Sequence, residues 1–121
     1  MFLVTLNKPK QLLVMRYCDR VTATQLKAGF GDLKALLAEL PPGFRVLADC
    51  SQLDSMGQDC VPEISAGMEL IDAHAPARLV RVIPDPSKDI GLNILTAFHY
   101  KKRPQIVNCK TLTEAARALE F

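Results

Sequence analysis

The run FRVLADC (residues 44–50) decides the fold of this chain, and the polar run SQLDSMGQ (residues 51–58) follows it directly. Val46, Leu47 and Ala48 are consecutive apolar residues, which is typical of a short strand covered on both faces in a mainly parallel sheet. The residues after Cys50 are polar and rich in turn-forming types. We therefore predict a central strand over residues 44–50 and a loop over residues 51–58.

A helix is predicted after this loop, because apolar residues recur there at helical spacing. The residues of its apolar face are Val61, Ile64, Met68 and Ile71. Proline lacks a backbone N–H and fits only the first turn of a helix, so Pro62 limits where the helix starts. We expect a start between Ser55 and Asp59, with a serine or aspartate side chain as the N-cap.

Toward the amino terminus, the pattern predicts a hairpin followed by one long helix. Phe2 to Leu6 and Leu12 to Tyr17 are rich in strand formers, and a turn-forming segment containing Pro9 separates them. From Thr22 to Leu40, apolar residues recur at steps of four and three, which places them on one helical face. These residues are Leu26, Phe30, Leu33, Leu37 and Leu40. The run Pro41-Pro42-Gly43 ends this helix.

Toward the carboxyl terminus, two more strand and helix pairs are predicted. A strand over Arg78 to Ile83 precedes a helix that starts at Asp85-Pro86, and its apolar face holds Ile90, Ile94, Leu95 and Phe98. A strand over Gln105 to Cys109 precedes a helix that starts at the capping box of Thr111 and runs to Leu119. The predicted order is β-β-α-β-α-β-α-β-α, an α/β fold whose sheet is mostly parallel with an antiparallel hairpin at its N-terminal edge.

Length and composition are those of one globular domain over residues 1–121. The chain is 49% hydrophobic and 23% charged, values that exclude a disordered or collagen-like protein. Its formal charge of +2 is too small to indicate a nucleic-acid partner, and the basic run Lys101-Lys102-Arg103 is interpreted as a surface turn. No apolar run approaches the length of a membrane span and no signal peptide is evident, so we expect a cytoplasmic protein.

The chain resembles the STAS domain family, and in particular its branch of anti-sigma-factor antagonists of the SpoIIAA type. Three stretches carry the resemblance: residues 45–57, whose end looks like the Asp-Ser-Ser-Gly loop of the family, Leu79 to Pro84, and Val107 to Leu119. The resemblance implies the SpoIIAA-like fold over nearly the whole chain. It also implies a regulatory protein that is not an enzyme and that binds an anti-sigma-factor or kinase-like protein partner.

The same resemblance implies which residues bind that partner. The surface would be formed by the loop and the helix start over residues 54–61: Asp54, Ser55, Met56, Gly57, Gln58 and Val61. With Asp54 and Gly57 aligned to the family motif, Ser55 takes its first serine position, and Met56 occupies the second, where the family usually has its phosphoacceptor. Ser55 is therefore the candidate phosphoacceptor of this chain, and the alternative is that it only caps or turns the backbone.

Two alternatives to a partner-binding module stay open. Cys50 and Cys109 end predicted strands, and Cys60 begins the helix after the central strand, so all three are expected at the carboxyl edge of the sheet. They suggest a small-ligand or thiol redox sensor, with Cys60 as the reactive thiol because a helix N-terminus lowers a thiol pKa. The other alternative is a homodimer formed through the edge strand over Phe2 to Leu6 or through the helix over Val61 to Ile71.

No cofactor or metal site is predicted. The chain has neither a Walker lysine motif nor a GxGxxG, and its four cysteines form no CxxC. Asp49, Asp54 and Asp59 are spaced five residues apart, which matches no known metal loop and favours capping and turn roles. His74 and His99 are isolated residues near predicted helix ends and are interpreted as surface groups.

Overall fold

The computed structural model of the protein describes residues 1–85 and 104–120. In chain order the elements are β1 (Phe2–Asn7), β2 (Leu12–Val21), α1 (Ala23–Phe30), α2 (Leu33–Ala38), β3 (Arg45–Met56), a 3-10 turn (Gln58–Cys60), α3 (Val61–Ala73), β4 (Arg78–Val82), β5 (Gln105–Cys109) and α4 (Leu112–Ala118). The helix predicted to start at Asp85-Pro86 lies outside the described residues. So do His99 and the basic run at residues 101–103.

The strands form one sheet in the order β1-β2-β3-β4-β5. β1 pairs with β2 in the antiparallel direction, and every other neighbouring pair is parallel. The prediction of a mostly parallel sheet with an antiparallel N-terminal edge hairpin is confirmed. The predicted bounds of β5 match the structure, and β4 ends one residue before the predicted Ile83.

Both faces of the sheet carry buried apolar side chains, because successive residues of a strand point to opposite faces. On the first face, α1, α2 and α3 pack on the sheet around the main core, which includes Leu26, Leu37, Val46, Ile64 and Ile71. On the second face, α4 packs through Ala115 and Leu119 on residues of β2, β4 and β5, such as Leu12, Val80, Val82 and Cys109. β3 is therefore a central strand, as predicted.

The single long helix predicted over residues 22–40 is wrong. The structure has two helices, α1 and α2, with a break at Gly31 and Asp32. Glycine and aspartate are poor helix formers, which accounts for the break, and Leu33 and Leu37 after it are fully buried. Thr22 caps α1 in a complete capping box with Gln25.

Two glycines are positions where helices approach an aromatic ring. A Cβ atom built on Gly29 of α1 would lie 2.4 Å from a ring carbon of Phe2, and one built on Gly67 of α3 would lie 2.7 Å from the ring of Phe30. The Phe2 and Phe30 rings themselves pack edge to face with centroids 4.9 Å apart. These glycines make room for the aromatic contacts that join β1, α1 and α3.

Two arginines hold the C-terminal end of α4 against the sheet. Arg45 of β3 and Arg78 of β4 are paired in register at the beginning of their strands. The Arg45 guanidinium donates to the Leu119 carbonyl, and that of Arg78 donates to the Ala118 carbonyl. Carbonyls at a helix C-terminus have no partner within the helix, so both arginines satisfy and electrostatically complement this end.

At the other end of α4, Thr111 is the N-cap, as predicted, and its hydroxyl accepts from the Glu114 N–H. The Glu114 carboxylate accepts from the Lys110 N–H. Within residues 1–85 and 104–120, no helix has both the length and the apolar character needed to cross a membrane.

Candidate functional site

The candidate site lies where β2 and β3 continue beyond the rest of the sheet. The last pair between β3 and β4 is Asp49 with Val82, whereas β3 stays paired with β2 as far as Met56, which lies opposite Val21. The prediction of a loop over residues 51–58 is therefore wrong for residues 51–56, which extend β3. The sequence pattern of these residues resembles that of a loop, because much of the extension is exposed to solvent and carries polar side chains.

This two-stranded extension contains two irregularities at which β3 has one residue more than β2. The second lies between Leu53, which is opposite Asp19, and Ser55, which is opposite Arg20. Asp54 is the extra residue, as in a β-bulge. Asp19 on the facing strand has a left-handed backbone with φ of 56°, which aspartate tolerates better than most residues.

The bulge changes which side chains of β3 face the solvent. In a regular strand the alternation would bury Leu53 and Ser55 and expose Asp54 and Met56. Instead Leu53 and Met56 are both buried, and Asp54 and Ser55 are both exposed. The extra residue therefore presents a carboxylate and a hydroxyl side by side, with a buried anchor on either side of them.

Met56 does not contribute to the predicted partner-binding surface. Its side chain is only 8% exposed and belongs to the main core on the first face of the sheet. The position that the resemblance assigns to a phosphoacceptor is thus a core position in this chain. The remaining predicted residues of the surface are accessible: Asp54, Ser55, Gly57 and Gln58 are exposed, and Val61 is half-buried.

The helix start differs from the predicted one. Gly57 is extended and precedes the 3-10 turn, and α3 begins only at Val61, with Pro62 in its first turn. No serine or aspartate side chain caps either element, so the predicted N-cap between Ser55 and Asp59 is wrong. The 3-10 turn takes up the residues that were expected to form the first helical turn.

Two residues next to the site were missed at the sequence level. Asp19 and Arg20 are exposed, and the strand pairing sets Arg20 opposite Ser55. Their strand was predicted to end at Tyr17, since Cys18, Asp19 and Arg20 show no apolar alternation. Only the pairing with β3 reveals them.

The Cys60 thiol is not activated. It is 1% exposed, and its Sγ donates weakly to the Val21 carbonyl at 3.6 Å. Burial, followed by the negative charge of Asp59, raises the pKa of Cys60 above its ordinary value. The expectation of a lowered pKa is wrong because desolvation and two nearby acids, Asp59 and Glu63, disfavour the thiolate.

The three cysteines of the thiol hypothesis are not brought together. Cys50 and Cys60 lie in the main core on the first face of the sheet, and Cys109 lies in the core on the second face. Burial, with a smaller contribution from the charge of Glu114, also raises the pKa of Cys109. This arrangement gives no support to a thiol redox centre.

A cavity lies beside the middle of β3 and the carboxyl end of β4. Its volume is about 130 Å³, and it is lined by Cys50, Ser51, Leu53, Ile83, Pro84 and Asp85. Pockets for drug-sized ligands are larger, roughly 300–1,000 Å³. This volume is enough for a few water molecules.

The acidic residues considered as metal ligands have separate structural settings. Asp49 is buried, accepts from the Ser51 N–H at 2.9 Å and lies 3.4 Å from Nε of Arg16, whereas Asp54 and Asp59 are exposed. Among residues 1–85 and 104–120, no three metal-binding side chains are grouped closely enough to hold an ion. His74 is the C-cap of α3, with Nδ1 3.1 Å from the Leu70 carbonyl.

Comparison with known proteins finds the same fold in several solved structures. The anti-sigma factor antagonist SpoIIAA in its unphosphorylated form superposes with a TM-score of 0.67 at 14% identity, over 99% of this chain and 98% of that one. Its phosphorylated form from Bacillus gives 0.64 at 12% identity, over 98% and 99%.

Two further solved structures superpose on this chain with the same fold. An anti-sigma factor antagonist from Mycobacterium paratuberculosis superposes with a TM-score of 0.61 at 18% identity, over 100% of this chain and 94% of that one. An uncharacterized DUF3478 protein with a SpoIIAA-like fold from Shewanella loihica gives 0.70 at 12% identity, over 98% and 92%. No protein-family model and no curated protein matches the sequence. The chain therefore has the SpoIIAA-like fold of STAS domains, as the resemblance implied.

Proposed function

We propose that this chain is a cytoplasmic regulatory module, without catalytic activity of its own, that binds a protein partner through the end of β3 and the start of α3. We call this the docking surface and define it by the exposed residues Asp54, Ser55, Gly57 and Gln58 together with half-buried Val61. The partner would be an anti-sigma-factor or kinase-like protein.

The observation that carries this proposal is the bulge at Asp54. It turns two adjacent polar side chains outward while Leu53 and Met56 anchor the strand in the core. Polar side chains held on a strand with such anchors lose little conformational freedom on binding, which favours recognition. β-bulges are also over-represented next to functional sites.

The fold supports the same proposal by analogy. Two of the proteins that share it are anti-sigma factor antagonists, and one of them is known in phosphorylated and unphosphorylated forms. We therefore extend the proposal to phosphorylation of Ser55, whose side chain is exposed next to Asp54. A phosphate there would add about −1.5 to −2 charges to the docking surface and change its affinity for the partner.

A reducing compartment fits the cysteine chemistry. No disulfide joins any of the four cysteines, and Cys50, Cys60 and Cys109 are buried. Proteins exported to oxidising compartments use cysteines mainly in disulfides.

Affinity capture from a native lysate tests the docking surface. Wild-type protein is compared with a Ser55→Asp, Gly57→Arg double variant and with Thr113→Arg, a matched control on the exposed side of α4. We expect an anti-sigma-factor or kinase-like protein to be retained by wild type and by the control and to be lost with the double variant. Retention of the same proteins by all three would refute a role for this surface.

Phosphorylation is tested separately with the captured partner and ATP. We expect intact-mass spectrometry to show addition of one phosphate to the wild-type chain and none to a Ser55→Ala variant. Modification that persists in Ser55→Ala would assign the phosphoacceptor to another residue.

A further inference from the structure

The outer edge of β1 has the features of an unprotected sheet edge, and β1 shares no residue with the docking surface. β1 is the first strand of the sheet, and within residues 1–85 and 104–120 it pairs only with β2. Its six residues, FLVTLN, include no charged residue and no proline, and the register with β2 is continuous. Charges, prolines and bulges are the usual protections against pairing of an edge strand with another chain. β1 has none of them.

The hydrogen bonds identify which backbone groups face this edge. The Met1 amino group donates to the Cys18 carbonyl at 2.7 Å, and the Cys18 N–H donates to the Met1 carbonyl at 2.8 Å. Hydrogen-bonded and non-hydrogen-bonded pairs alternate along an antiparallel ladder. Leu3 and Thr5 therefore bond to β2, while Phe2, Val4 and Leu6 direct their N–H and C=O groups outward.

We propose that a second copy of this chain pairs with that edge, antiparallel and about a two-fold axis at Val4. In this register Val4 lies opposite Val4 of the second copy, and Phe2 lies opposite Leu6. Each such pair exchanges two backbone hydrogen bonds, which gives about six across the interface. The two five-stranded sheets become one continuous sheet.

Self-complementarity is the reason for choosing a second copy as the occupant. Both copies place Phe2, Val4 and Leu6 on the helix-covered first face, so the two apolar faces become continuous. On the second face Leu3, which is 45% exposed, comes to lie opposite Thr5 of the second copy and is covered. Since the strand has no charge, its own copy introduces no repulsion.

The interface is one strand wide, so the dimer is expected to be reversible and dependent on concentration. A two-fold pairing uses the same edge of both chains and therefore closes at two copies.

A charge-pair experiment tests both the dimer and its register. Leu3 and Thr5 are exposed, and the proposal places them opposite each other across the axis. In the double variant Leu3→Glu, Thr5→Glu like charges would meet, whereas in Leu3→Glu, Thr5→Lys opposite charges would meet twice. Glutamate at position 3 also lies opposite Arg16 within the chain, so the first substitution is compatible with the monomer.

Sedimentation equilibrium over a concentration series is the first readout. We expect wild type and Leu3→Glu, Thr5→Lys to approach twice the chain mass of 13.4 kDa, and Leu3→Glu, Thr5→Glu to stay at that mass. Thermal unfolding under dilute conditions checks that both variants are folded. A wild type that stays at the single-chain mass throughout, or a dimer unaffected by the two glutamates, would overturn the proposal.

Amide hydrogen exchange provides the second readout and resolves the register. We expect the Val4 and Leu6 amides to become protected as concentration rises, while the Leu3 and Thr5 amides are already protected in the monomer. Protection of the β5 amides instead would show association through the other edge of the sheet. Neither result depends on the partner proposed for the docking surface.

Discussion

Leu53 and Met56 are three residues apart on β3, and both side chains are buried in the same core. A regular strand cannot place residues at this spacing on one face, because its side chains alternate with a period of two. The bulge at Asp54 supplies the extra residue that makes this possible. The exposure of Asp54 and Ser55 is the direct consequence.

Deletion of Asp54 is expected to leave the fold intact. Without the extra residue the alternation becomes regular, with Leu53 buried, Ser55 exposed and Met56 buried, so the core is unchanged. We expect the free energy of unfolding, measured by urea denaturation, to change by no more than about 1 kcal/mol. Deletion of Ala48, in the regularly paired part of β3, is the control and should prevent folding because it inverts the alternation of the residues that follow.

Restoring a serine at the position of Met56 is expected to damage the core rather than to create a phosphoacceptor. The Met56→Ser variant removes a buried side chain and places a hydroxyl in an apolar site. We expect a loss of about 2–5 kcal/mol in the free energy of unfolding. Ser55→Ala, on the exposed neighbour, should change it by less than about 0.5 kcal/mol. A Met56→Ser protein as stable as wild type would contradict the core role of Met56.

Gly67→Ala is expected to destabilise the protein although alanine is the better helix former. The propensity gain is about 1 kcal/mol, but the new methyl group would lie within 3.0 Å of three carbons of the Phe30 ring. We expect a net loss of about 1–3 kcal/mol in the free energy of unfolding.

A double-mutant cycle isolates the cause of this loss. In a Phe30→Leu background the ring is absent, so Gly67→Ala should cost clearly less than it does in wild type. Ala66→Gly, at the neighbouring exposed position, measures how much the difference in helix propensity between alanine and glycine alone changes the free energy of unfolding. Equal costs in the two backgrounds would exclude the ring as the cause.

The thiols are expected to make stability fall in alkaline solution. Because burial raises the pKa of Cys60 and Cys109 in the folded state, the folded chain keeps protons that the unfolded chain releases. The linkage relation then requires the free energy of unfolding to decrease as pH rises above the unfolded thiol pKa of about 8.5. Denaturation of wild type and of a Cys60→Ala variant between pH 7 and pH 10 measures this slope, which should be smaller in the variant.

Alkylation by iodoacetamide gives an independent check. Half-buried Cys18 should react before Cys60 at pH 8, because Cys60 is buried and its thiolate is disfavoured. Peptide mass spectrometry identifies the first site. Preferential modification of Cys60 in the folded protein would contradict the burial described above.

Much of the fold was predictable because its signals are local. The apolar run at residues 46–48, the strand at Gln105–Cys109 and the Thr111 N-cap each depend on a few neighbouring residues. The parallel order then follows from the alternation of strands and helices. The split between α1 and α2 was less predictable, because Leu33 and Leu37 keep the helical spacing across Gly31 and Asp32.

The docking surface was only partly predictable. Its residues were identified by resemblance, but the sequence favoured a loop, since polar residues in an exposed two-stranded extension show no clear alternation. The prediction of a lowered pKa for Cys60 was wrong for a related reason. A position near a helix N-terminus does not reveal how far a side chain is removed from water.

The sequence by itself determined the mostly parallel sheet with its antiparallel N-terminal hairpin and the burial of Ile64, Met68 and Ile71 on one side of α3, since these follow from hydrophobic periodicity and turn chemistry. Only the tertiary structure decided the exposure of single residues. Pairing of β3 with β2 over its whole length introduces the bulge at Asp54, which turns Ser55 outward and Met56 inward. Such a shift arises from the register between strands far apart in the chain, and no local pattern encodes it.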